Sequence, residues 1–170
     1  MNTLNKLVID SSVLILDYLY RGRDFQRFWV LEEIARAPYF AFLSVLHFKE
    51  SLGLRGDNHL YLMKEHFEQT LNETTHLEFM ESVGGADQWI DRFLAKHLVL
   101  VYYWAMVIYY LLNAKAAYNL NVLVEEHAGH TYENYLSTHP HSQYRDKISE
   151  IQADEIKHAA ELRHAVGMID

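Results

Sequence analysis

Apolar positions recurring every three to four residues divide the chain into six stretches, near 9–20, 25–52, 58–83, 87–112, 114–137 and 143–167, and this period predicts six helices. The clearest breaks, Gly53–Asn58, Gly84–Gly85 and Thr138–His141, carry the glycine, asparagine and proline of turns. On the third helix Leu62, Gln69, Leu77 and Met80 share one face at about 100° per residue. On the last, Ile151, Leu162 and Val166 do. Each of these inward faces also holds a carboxylate and an imidazole one turn apart: Glu73 with His76, and Glu155 with His158. A third Glu-x-x-His, Glu161 with His164, shares its phase with Asp154 and Lys157 and is expected to face water.

A lone inward histidine is an ordinary core residue, but an inward carboxylate without a positive partner is expensive. Few inward lysines or arginines are available, whereas a pair of metal ions would supply the charge. A ferritin-like bundle that binds two metals takes one Glu-x-x-His from each of two helices and one Glu from each of the other two. The segments FWVLEEIARAPYF and NVLVEEHAGHTYENY offer the two further carboxylates. The midpoint between Glu32 and Glu73 falls at Leu52–Gly53, a helix break, and that between Glu125 and Glu155 falls at Pro140. Residues equidistant from the turn of an antiparallel hairpin lie at similar heights, so each pair meets across its hairpin. This spacing leaves Glu33 and Glu126 as alternatives to their neighbours. The midpoint between Glu73 and Glu125 lies inside the apolar segment 98–112, which must then cross over between the hairpins. The expected fold is all-α: a ferritin-like four-helix bundle with a crossover helix and an additional interfacial helix, in one domain over 1–170.

Composition narrows the function. Cysteine is absent, which removes disulfides and thiolate metal sites, and the net charge of −8 opposes nucleic-acid binding. Asp10 and Asp17 interrupt the apolar N-terminal stretch, so it does not read as a signal peptide. The uncharged run LVLVYYWAMVIYYLL is shorter than the ~20 residues a transmembrane helix needs. A buried core helix would explain that run, but its tyrosines and tryptophan also suit a helix lying in the lipid interface.

The segments VLEEIARAPYFAFLSVLHFKESLG, LNETTHLEFMESVGG, WIDRFLAKH, VEEHAGHTYENYL and ADEIKH together resemble the alternative oxidase family over roughly residues 14 to 165. APYFAF and His127 are similar to its plastid terminal oxidase branch, the plastoquinol oxidases. Residue by residue, the resemblance implies two iron ions held by Glu32, Glu73, His76, Glu125, Glu155 and His158. It implies a redox role for Tyr132, seven residues after Glu125, and supporting positions for Asn72, Asp154 and Tyr118 around the ligands. Arg27 matches an arginine of the quinol pocket. The chain departs from the family at Leu71, at Ala114–Lys115 and in its short connection from Glu125 to Glu155. No transit peptide is legible, as expected of a mature chain or one encoded where none is needed.

The implied activity is the reduction of O2 to water by two quinols, plastoquinol or ubiquinol, without proton pumping. The expected location is monotopic on one leaflet of a thylakoid-type or bacterial cytoplasmic membrane, with the quinol entering between the first two helices; a homodimer is compatible with it. The alternatives are a di-iron quinone-biosynthesis hydroxylase and a non-catalytic ferritin-like iron-binding protein. An apolar membrane face opposes a storage role.

Overall fold

The computed structural model describes residues 3–169. These residues form six helices and no strand: α1 (Thr3–Leu19), α2 (Asp24–Ser51), α3 (His59–Ser82), α4 (Trp89–Leu112), α5 (Ala114–Thr138) and α6 (Arg145–Val166). The hairpins α2–α3 and α5–α6 form the four-helix bundle, closed by packing of α2 on α5 and of α3 on α6. α4 lies against α2 and α5 and carries the chain from one hairpin to the other, while α1 lies along α5. This is the all-α ferritin-like architecture expected from the sequence.

α1 begins well before the expected residue 9. Its first turn is polar, so the apolar period is not visible there. Tertiary contacts hold it instead: the buried Asn5 donates to Ala116 O at 2.8 Å and accepts from the Tyr109 hydroxyl at 2.7 Å. Elsewhere the turn chemistry acts as read. Gly53 and Gly84 adopt φ of 73° and 89°, which favour glycine. At Gly85 the reason is space, because a Cβ would lie 2.6 Å from Phe25 O and 2.7 Å from Met80 O. That close approach seats the α3–α4 turn on α2. Asn113 ends α4, and its side chain caps α5 by accepting from Ala116 N.

The core has two apolar ends with a polar layer between them. One end contains Phe28, Trp29, Leu77, Met80, Tyr132 and Ile151. The other contains Tyr39, Phe42, Leu62, Tyr118 and Leu162. On every bundle helix the expected ligand positions fall between residues of these two clusters, so the apolar ends seal the layer from water. The outer faces of α1 and α4 are the reverse. Leu7, Leu14, Tyr18, Leu98, Val101, Trp104 and Leu112 are all exposed, several of them large and adjacent. Among the described residues α4 alone is long and apolar enough to cross a membrane, by length and composition.

Candidate metal centre

Glu32 on α2, Glu73 and His76 on α3, Glu125 on α5, and Glu155 and His158 on α6 converge in the polar layer, and all are buried. Their ligand atoms fall into two groups, each within a 4.8 Å span: Glu32, Glu73, His76 and Glu155, then Glu73, Glu125, Glu155 and His158. Glu73 and Glu155 belong to both. Each group adds its own glutamate and histidine to the two shared carboxylates, so the six residues could hold two adjacent cations.

The chemistry of these atoms fits a metal pair. Glu32 Oε2, Glu125 Oε2, both oxygens of Glu73 and of Glu155, and Nδ1 of His76 and of His158 are buried without a hydrogen-bond partner. His76 Nδ1 approaches Glu32 Oε2 at 3.4 Å and Glu155 Oε1 at 3.2 Å, and His158 Nδ1 approaches Glu73 Oε1 at 2.8 Å. Native interiors seldom leave so many polar atoms unpaired in one place. Burial, and then the neighbouring carboxylates, push Glu73 and Glu155 well above the usual carboxylate range. Burial also raises Glu125. Burial opposes a charge on His76, but Glu32, Glu73 and Asp154 outweigh it and raise His76 to about 9; burial lowers His158. Without cations the cluster therefore retains protons, and bound cations would take their place.

Two tyrosines complete the layer by exchange across the bundle. Tyr132 on α5 donates to Glu32 Oε1 on α2, and Tyr39 on α2 donates to Glu125 Oε1 on α5 at 2.7 Å. Each tyrosine lies seven residues after the glutamate of its own helix, so α2 and α5 present the same pattern to each other in antiparallel. Tyr39 is a site position not singled out from the sequence, although it stands at the same spacing from Glu32 as Tyr132 does from Glu125. Burial, followed by the adjacent carboxylates, raises both phenols well above their ordinary value, so both hold their protons.

The supporting residues divide. Asp154 accepts from His76 Nε2 at 3.1 Å and from Asn72 Nδ2 at 3.3 Å, which turns His76 Nδ1 toward the centre. Burial disfavours the Asp154 charge, but these two donors hold it below its usual value. Tyr118 stands apart: its hydroxyl bonds His66 Nε2, and its ring stacks on Phe42 at 4.4 Å. Arg27 pairs with Asp17 of α1 at 2.7 Å. Glu33 pairs with Arg36 and Glu126 with Arg163, so neither enters the layer. His164 is exposed, and Glu161 binds Gln69 and Lys157 outside the cluster.

A cavity of about 290 Å³ lies beside the centre, lined from α1, α2, α4 and α5. Its walls are almost wholly apolar and include Leu31 and Val124, the residues preceding Glu32 and Glu125. Its polar groups are Ser12, His127 and Tyr102. The Tyr102 hydroxyl is buried without a partner, and burial, reinforced by Glu125, raises it far above the ordinary phenol value. Arg27 does not line the cavity, although its charge helps lower His127, after burial.

The fold and this cluster define an all-α bundle with a buried Glu/His group that could hold metal. Comparison gives the family: the alternative oxidase family matches residues 14–156, and the chain belongs to it. It is 47% identical over 135 residues to ubiquinol oxidase 4, chloroplastic/chromoplastic, of Arabidopsis thaliana, a match covering 78% of this chain and 37% of that protein. The likeness is with the plastid terminal oxidase branch. The chain thus spans well under half the length of that relative. No solved structure matches it.

Proposed function

We propose that the protein is a membrane-attached quinol oxidase that reduces O2 to water at two irons held by Glu32, Glu73, His76, Glu125, Glu155 and His158. The observation that carries this is the pair of four-residue groups sharing Glu73 and Glu155, whose buried ligand atoms lack other partners. Carboxylates with imidazoles suit iron. When bound, the irons would supply redox chemistry, cycling between ferrous and ferric states to pass quinol electrons to O2. The balance is two quinols and one O2 giving two quinones and two waters, so protons released by quinol equal those taken into water.

The residues of the chain set where this happens. The apolar cavity accepts a quinol ring from the lipid, and Tyr102 offers its unpaired hydroxyl to a ring oxygen. Leu31 and Val124, which precede Glu32 and Glu125 in the chain, line the cavity on the side of their helices. Asp154 orients His76, while the Tyr39 and Tyr132 hydroxyls donate hydrogen bonds to Glu125 and Glu32. The test is oxygen uptake by the iron-quantified protein with plastoquinol and ubiquinol analogues, using labelled O2. Two irons per chain and label recovered in water are expected. Label recovered in an oxygenated quinone would make the protein a hydroxylase instead.

The same reading makes attachment monotopic. α4 carries the buried Asp91, Ala95, Met106 and Tyr110 against the bundle. It could cross a bilayer only by drawing the charged bundle into hydrocarbon, at great cost. The exposed faces of α1 and α4 instead enter one leaflet. Extraction is expected to need detergent, with both termini open to protease from the same side; termini on opposite sides would refute a monotopic arrangement.

A further inference from the structure

The apolar cavity offers a route to the centre from lipid, but iron travels in water. A second opening, of about 170 Å³ between α5 and α6, is lined mainly by residues with charged or polar side chains. Its lining includes Glu126, His130, Glu133, Gln152 and Arg163, and it reaches Glu125. Glu125, which lines the cleft, is fully buried, and its Oε2 has no hydrogen-bond partner. Gly129 also lines the cleft, facing Glu155 and Ile156 of α6 across it. Across the mouth, Arg163 of α6 binds Glu126 of α5, while Glu133 pairs only with the exposed His130. The ion pair is solvent-accessible and therefore cheap to open.

We propose that this cleft is the route by which divalent metal enters and leaves the centre. Glu133 and Glu126 concentrate a hydrated cation at the mouth. Opening of the Arg163–Glu126 pair removes both a bar and a repelling charge, and Glu125 is the first ligand reached. The inference rests on the six buried residues being the metal ligands, and it assigns a task to charged groups that the oxidase chemistry does not use.

Entry and exit share one path, so the holoprotein can report it. Under anaerobic reduction, Fe2+ released to ferrozine is followed by absorbance, with iron content and helicity checked for each variant. Arg163→Ala is expected to release iron about tenfold faster, by the usual scale of electrostatic focusing. Ile156→Trp, a substitution at an exposed position lining the cleft, is expected to slow release by a similar factor. Val13→Trp, which plugs the lipid-side cavity, should leave the rate unchanged. Unaltered rates in Arg163→Ala and Ile156→Trp, or slowing by Val13→Trp alone, would overturn the route while leaving the metal centre standing. A wild-type protein isolated with iron supplied but binding none would overturn both.

Discussion

Glu73→Ala and His158→Ala are each expected to abolish quinol oxidation and lower iron content, whereas Glu161→Ala and His164→Ala keep both. Glu73 belongs to both ligand groups, so its loss removes an oxygen from each metal position. His158 serves one position, but the remaining ion would then sit in a cluster arranged for two. Glu161 and His164 repeat the same sequence motif outside the layer, which makes them the control for geometry over spacing. The sign of the stability change should depend on metal. In the metal-free protein Glu73 must take up a proton on folding at neutral pH, because burial and its neighbours raise it, and Glu73→Gln removes that cost and is expected to stabilise. In the iron-loaded protein the same change destabilises. Thermal unfolding with and without iron measures both, and an iron requirement for Glu161 or His164 would defeat the placement of the centre.

Tyr132→Phe is expected to keep the fold and both irons while losing about a hundredfold or more of the oxidation rate, the scale of a lost proton-transfer group. A packing role would predict little change, because Phe fills the same space and only one hydrogen bond of about 1 kcal/mol disappears. A redox role demands more. In that role the Tyr132 ring would give one electron toward the O2 being reduced, and its hydroxyl proton would have a receiver in place at Glu32 Oε1; an electron and a proton from quinol would restore the phenol. Phe has no proton to release. Tyr118→Phe should be milder, since that hydroxyl meets His66 rather than a carboxylate of the centre. Near-normal oxygen uptake by an iron-loaded Tyr132→Phe protein would remove Tyr132 from the chemistry.

What the sequence disclosed was what one helix can encode by itself. Phase separated Glu73 and His76 from the outward Glu161 and His164, and turn positions set the heights at which the hairpin carboxylates meet. Relations between helices were less legible. That Glu73 and Glu155 are shared, while Glu32 and Glu125 are terminal, depends on distances across the bundle. Tyr39 is another such case, because its partner Glu125 lies on another helix and the pairing depends on how α2 and α5 meet. The start of α1 was missed because Asn5 is held by tertiary hydrogen bonds rather than by an apolar repeat. Arg27 was placed by resemblance alone, and its pairing with Asp17 required knowing where α1 lies.

The sharing of Glu73 and Glu155 has a consequence for how the molecule is made. The α2–α3 hairpin supplies Glu32, Glu73 and His76 but lacks the fourth member of their group, which α6 provides. The α5–α6 hairpin is short of one member in the same way and borrows it from α3. Neither half is a binding site by itself, so no ion can be fully coordinated until the two halves have docked. Each ion would then act as a rivet through both, and the free energy of coordination would favour joining the halves. Assembly of the molecule and completion of the proposed centre would thereby be one event.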